Sequence, residues 1–273
     1  MFSFFTPRYT TIEKLVGETP LITTERLRRE RGISKETPLA YAGRLDPMAS
    51  GKLLVLIGDE CKVQEKYHAF DKEYQVEILL GVSSDTGDVL GLLGACTQNV
   101  CTKEEAKTVL ASYVGDISLP YPHFSSKTVA GKPLHTWTLE GRLSEIEIPV
   151  KESKIHRLTF DGLRTISKEE VLTTVRAKIE TIPQVTDPKK ALGADFRRDD
   201  VRKSWDGFAL NDSTTYHILS FTCIASSGTY MRSLAEEIGK KLGTCGLAYS
   251  IHRTKIGKYL PLGNKYGFWI VSF

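Results

Sequence analysis

The chain has 273 residues, of which 41% are hydrophobic and 26% charged, with 37 Lys and Arg against 33 Asp and Glu. That length admits one large catalytic domain, or a medium one with a small appendage, and the composition excludes a disordered tail or a fibrous protein. The net charge of +4 is compatible with a polyanionic partner but too small to identify one.

The opening segment MFSFFTPRYTTIEK has too short an apolar part for a signal peptide, and no stretch approaches a membrane span, so a reducing, cytoplasmic setting is expected. Five cysteines (Cys61, Cys96, Cys101, Cys223, Cys245) are odd in number, scattered and free of any C-x-x-C pair. That spacing predicts mostly buried free thiols, with neither a disulfide framework nor a zinc site. Residues 23 to 31, TTERLRRER, read as a helix capped by Thr23 or Thr24 and stopped at Gly32, with a basic face. The turn-rich GRLDPMASG at 43 to 51 precedes the apolar run LLVLI at 53 to 57, a buried strand ending at Gly58. Asp46 is thereby placed just ahead of a core strand. DKEYQVEILLG at 71 to 81 alternates as a strand, and the turn residues SSDTGDVLG at 83 to 91 follow it, which together suggest a sheet edge with a loop.

Thr102 to Gly115 reads as an amphipathic helix opened by a capping box of Thr102 and Glu105. From Pro120 to Pro133 the pattern breaks into aromatics, small residues and lysines, as suits an exposed, partner-binding loop. ISKEEVLTTVRAKIE at 166 to 180 is another helix, whereas 184 to 207 is polar, basic and irregular. YHILSFTCIAS is strand-like and leads into a helix capped by Ser227 or Thr229 and stopped at Gly243, with Arg232 in its first turn.

Taken singly, these features are ordinary: an Asp before Pro serves turns, a strand Tyr serves cores, and Asp85 with Asp88 reads as a structural turn rather than a metal site. Their order is what carries information. GRLDPMASGKLLVLIG, then DKEYQVEILLGVSSDTGDVLG, then GTYMRSLAEEIGKKLG followed by SIHRTKIGKY, closely resemble the successive signatures of the TruB family of pseudouridine synthases across residues 43 to 259. The resemblance implies an α+β pseudouridine synthase fold, a mixed, mostly antiparallel sheet flanked by helices and loops. It further implies a single catalytic domain over residues 1 to 273, with an RNA-binding insertion near 120 to 142. Only fourteen residues follow Tyr259, so no C-terminal RNA-binding (PUA) module is expected, and affinity must come from the catalytic domain.

By the same resemblance Asp46 is the catalytic carboxylate, Tyr74 stacks on the target base and takes part in moving a proton, and Arg232 pairs with Asp46. Tyr41, Arg44, Phe124, Lys127, Lys132, Ile251 and Arg253 are the implied substrate-binding residues. The chemistry agrees with the assignment. An enzyme that detaches and reattaches uracil must take the base out of its stack into a closed pocket, and a carboxylate there needs a guanidinium fork to keep its charge. Asp46 would either attack the sugar or assist elimination, and neither route needs a metal, nucleotide or organic cofactor. The implied substrate is transfer RNA at uridine 55 of the T-loop, bound by a monomer with no obligatory protein partner. The alternatives are an RNA-binding or RNA-folding protein without turnover, and a synthase acting on another RNA.

Some positions depart from the family pattern. Tyr41 stands where a histidine is usual, and Arg44 where a small residue is common. Lys127 lies one place early in the insertion, and the D-K-P-x-G-x-T-S opening is only faintly echoed by EKLVGETP at 13 to 20.

Overall fold

The computed structural model describes residues 8–97, 99–182, 197–263 and 266–273. In chain order, β1 (Tyr9–Lys14) leads to α1 (Pro20–Glu30), and β2 (Leu39–Ala42) to β3 (Ser50–Ile57). A short helix α2 (Glu65–His68) precedes the long strand β4 (Asp71–Leu80). The loop after it is closed by β5 (Ser83–Ser84) and β6 (Leu93–Gly94), and α3 (Lys103–Ala111) and β7 (Gly115–Pro120) follow. A small hairpin of β8 (Thr128–Val129) and β9 (Lys132–Pro133) runs into α4 (Leu134–Leu139). Then come β10 (Val150–Ser167), α5 (Lys168–Glu180) and α6 (Arg198–Phe208). The last elements are β11 (Thr215–Ala225), α7 (Met231–Lys241), β12 (Gly246–Leu262) and β13 (Tyr266–Ser272).

Nine of these strands form one sheet in the order β1-β3-β12-β4-β11-β10-β7, with β13 added to β12 and β2 to β3. Its pairings are antiparallel except for a short parallel contact between β12 and β3. The fold is therefore α+β with a mostly antiparallel mixed sheet, as expected. Consecutive apolar residues make β3 a strand covered on both faces: Leu53 to Leu56 are wholly buried. β4 is also central, lying between β12 and β11, so the expectation of a sheet edge at 71 to 81 is corrected. The cause is visible in the run Val76, Ile78, Leu79 and Leu80, whose last three residues break alternation because both faces are packed.

The helices show where local signals compete. α1 begins at Pro20 rather than at 23, because Thr19 caps it by accepting from Ile22 N and proline suits the first helical position. α3 has the expected capping box of Thr102 and Glu105. α7 starts at Met231 with Tyr230 as its cap residue, while Thr229 donates instead to the Ser226 carbonyl at 3.0 Å. Residues 198 to 208 are helical, not irregular: Val201, Trp205 and Phe208 fall at helical spacing and are buried, a periodicity hidden among charges. The rest of the 184 to 207 segment, up to residue 196, lies outside the described residues.

The cysteine expectation also changes. Cys96 and Cys245 form a disulfide, while Cys61, Cys101 and Cys223 are free, the last two buried. The bond ties the loop after β6 to the turn between α7 and β12. Helix α7 lies close on β12, since a Cβ at Gly239 would overlap the backbone of Gly246. That packing fixes the height of Arg232 relative to the sheet.

Candidate functional site

Three segments meet at one cavity of about 1460 Å³: the 43–49 turn between β2 and β3, the 83–91 loop after β4, and the first turn of α7. Arg232, only 4% exposed, sits at their junction. Its guanidinium donates from Nε to Asp46 Oδ2 at 2.8 Å, from Nη1 to the Thr86 carbonyl at 2.6 Å, and from Nη2 to the Phe124 carbonyl at 3.1 Å. Asp88 Oδ2 stands 3.7 Å from the same Nε. Burial pulls the Arg232 pKa down, but Asp46 and Asp88 outweigh it and leave it above its ordinary value. Burial lifts the Asp88 carboxyl to about 6, against the pull of Arg232. The Asp46 side chain retains 37% exposure, so the cation is sealed while its carboxylate partner opens into the cavity.

Two buried cations hold the turn that carries Asp46. Lys14, at the end of β1, donates to the carbonyls of Ala49 at 2.6 Å, Leu15 at 2.9 Å and Pro47 at 3.5 Å, and burial lowers its pKa to about 8. Arg253, on β12 and fully buried, donates to the carbonyls of Lys52 at 2.8 Å, Gly43 at 3.1 Å and Arg44 at 3.2 Å. Gly51 adopts φ +112° where a Cβ would overlap the Arg253 backbone, which lets the turn close against β12. Lys14 and Arg253 thereby tie carbonyls of the turn to those of the adjoining strands, and the Pro47 and Leu15 carbonyls also accept from the backbone amides of Gly17 and Glu18.

Tyr74 faces the cavity from β4, between Cys223 on β11 and Arg253 on β12. Burial pushes its phenol above the usual range, and Arg253 beside it pulls part of the way back. Ile251, two positions before Arg253, is buried against Val76 and contributes apolar wall. Tyr41, on β2, lines the other side, and its carbonyl accepts from Gln64 Nε2 at 3.1 Å. Lys72, two residues before Tyr74, donates to the carbonyls of His68 and Phe70 and to Ser227 Oγ, and burial lowers its pKa to about 8.

The insertion contributes unevenly. Phe124 lines the cavity, and Arg44 reaches across to Ser126, donating from Nη1 to its Oγ at 2.7 Å. Lys127 and Lys132 do not line it. Lys127 lies 5.4 Å from the Tyr121 ring centre, and Lys132 pairs with Glu140 at 2.7 Å over the Trp137 ring. The structure thus gathers Asp46, Tyr74, Arg232, Tyr41, Arg44, Phe124, Ile251 and Arg253 at one space, with the Arg253 guanidinium also held on backbone carbonyls, and leaves the two lysines outside it. The sequence reading did not single out Lys14, Lys72 or Arg197, and it took Asp88 as a turn residue only. Asp88 does serve the turn, accepting from Leu90 N at 2.8 Å, while its other oxygen faces Arg232.

The family model that matches residues 31–182 is the TruB family pseudouridylate synthase, N terminal domain. The chain belongs to the TruB family. It is 27% identical over 248 residues to a protein named tRNA pseudouridine synthase B from Caldicellulosiruptor saccharolyticus, covering 91% of this chain and 67% of that one. It is 29% identical over 240 residues to tRNA pseudouridine synthase 4 of Saccharomyces cerevisiae, covering 79% and 59% respectively. A tRNA pseudouridine synthase B from Rhizobium etli is 25% identical over 247 residues, covering 89% of this chain and 63% of that one. This TruB-family chain therefore spans 59 to 67% of the length of these relatives. Among solved structures, a Cbf5-Nop10-Gar1 complex matches with a TM-score of 0.53 at 15% identity, over 91% of this chain and 48% of that one, a likeness of fold. Among the described residues, no helix is long and apolar enough to cross a membrane, and no group of three or more His, Cys, Asp or Glu is placed to hold a metal ion.

Proposed function

We propose that this chain isomerises a uridine of RNA to pseudouridine, that its target is uridine 55 in the T-loop of transfer RNA, and that it works in the cytoplasm as one catalytic domain. The observation that carries the reading is the Asp46–Arg232 pair at 2.8 Å, with the carboxylate open to the cavity and the guanidinium sealed. In the reaction the sugar–nitrogen bond breaks, a sugar–carbon bond forms, and a proton passes from ring carbon to ring nitrogen, so nothing is oxidised or reduced. What the protein must supply is a closed place for an unstacked base, a carboxylate at the sugar and a means of moving a proton.

The chain's own residues fit these tasks. Asp46 presents its free carboxylate oxygen to the cavity, either for attack on the sugar carbon or for assisting elimination, while Arg232 fixes its direction through a fork that a lysine lacks. Tyr74 and Ile251 offer a ring and an apolar wall to the base, and the raised phenol pKa keeps Tyr74 a neutral hydrogen-bond donor. Tyr41, Arg44 and Phe124 border the same space from β2, the Asp46 turn and the insertion, where the flanking RNA would enter. Sequencing modified positions in an unmodified transfer RNA transcript after incubation with the chain tests the target. A single pseudouridine at position 55 is expected; none, or one elsewhere only, overturns the assignment.

A further inference from the structure

We infer that Arg197 is a positioning residue that aligns the Asp46–Arg232 pair and the aromatic wall of the cavity together; this rests on the function proposed above. The residue precedes α6, in the segment whose basic character gave no hint of a site. Its guanidinium donates to both oxygens of Asp85, from Nη1 to Oδ2 at 2.6 Å and from Nη2 to Oδ1 at 3.1 Å. The same planar group lies over the Phe124 ring, 4.3 Å from its centre. Arg197 also lines the cavity.

Both contacts lead to Arg232. Asp85 belongs to the loop whose Thr86 carbonyl accepts Arg232 Nη1 and whose Asp88 faces Arg232 Nε. Asp85 Oδ1 also accepts from Leu92 N at 2.8 Å, so fixing this carboxylate fixes both ends of the loop. Phe124 meets Arg197 with its ring and Arg232 Nη2 with its carbonyl. The two arginines therefore bracket one aromatic residue and one acidic loop, closing a circuit from Arg197 through Asp85 and Phe124 to Arg232 and Asp46. The bidentate pair is only 21% and 30% exposed, so water screens it less than a surface ion pair. Arg197 also has φ +55°, a left-handed conformation that side-chain-bearing residues rarely adopt. A rigid guanidinium held by a fork on one edge and a ring on its face fits such a backbone; a lysine could satisfy neither contact fully.

The test combines kinetics with a readout that needs no turnover. With the full chain and an unmodified transfer RNA transcript, Arg197→Ala should slow single-turnover pseudouridine formation at saturating enzyme about tenfold or more, with RNA affinity within about threefold. Asp85→Asn should do the same, and the double variant should lose little beyond either single one, because both cut one circuit. Arg197→Lys should recover only part of the rate. In the RNA-free protein, the Arg232 Nε–H signal in nitrogen-15 spectra should exchange with solvent several times faster in Arg197→Ala than in wild type. A wild-type rate in Arg197→Ala, or multiplying losses in the double variant, overturns the inference and leaves the proposed function intact. If wild type itself forms no pseudouridine, the proposed function fails, and an unchanged Arg232 exchange rate then overturns the positioning role separately.

Discussion

Replacing Arg232 by lysine keeps the charge and removes the fork. Arg232 makes three charge-assisted hydrogen bonds, to Asp46, to the Thr86 carbonyl and to the Phe124 carbonyl, at 2.8, 2.6 and 3.1 Å. An ammonium on a shorter, unbranched stem can satisfy one of these acceptors in the same space, so two bonds are lost. Hydrogen bonds to charged groups contribute about 1.5–3 kcal/mol each, which puts the loss near 3 kcal/mol at the lower bound. If that loss falls on the transition state, the chemical step slows about 100-fold. The assay is single-turnover pseudouridine formation at saturating enzyme, with thermal melting to confirm that Arg232→Lys is folded. A folded Arg232→Lys variant that reacts within about threefold of wild type would refute the claim that the fork sets the direction of Asp46.

Two further outcomes concern Asp88, beside the pair, and the disulfide, away from it. The Asp88 carboxyl is raised to about 6 from an ordinary 3.8, so the folded state binds its proton more tightly than the unfolded state; its contribution to stability is complete below about 4 and is lost as pH rises through about 6. Asp88→Asn should therefore gain on wild type as pH rises from 4 to 8, by up to about 3 kcal/mol in denaturant unfolding; a pH-independent difference contradicts this. The Cys96–Cys245 bond closes a loop with a sequence separation of 149, so reductant should lower unfolding stability by about 2–5 kcal/mol. Thiol titration of the unfolded, unreduced chain should find three groups, and finding five would exclude the bond.

How much of this was legible beforehand depended on whether a feature is local. The Asp46 turn, the β3 strand and the Thr102 capping box declare themselves through contiguous residues, and each has its expected place. The position of Arg232 in the first turn of α7 was likewise readable, since a glycine stop at 243 and the preceding strand frame the helix. What failed was long-range. β4 looked like an edge because alternation says nothing about neighbours, and its partners β11 and β12 lie well over a hundred residues away in sequence. Parity and spacing argued against a disulfide because they cannot see that Cys96 and Cys245 end in adjacent turns. That Arg253 is held on backbone carbonyls where it lines the cavity was not legible either, because no sequence mark separates a solvent-facing cation from a buried one. Lys132 had its partner, Glu140, only eight residues away, yet their pairing depends on the hairpin and helix that bring them together.

The most direct measurement is the activity of Asp46→Asn, which removes the carboxylate charge while preserving nearly all the volume, and whose amide oxygen can still accept from Arg232. Pseudouridine mapped in a transfer RNA transcript should vanish with this variant, while the dissociation constant for that transcript stays within a few-fold of wild type. Appreciable turnover by the amide would contradict the role given to this acid.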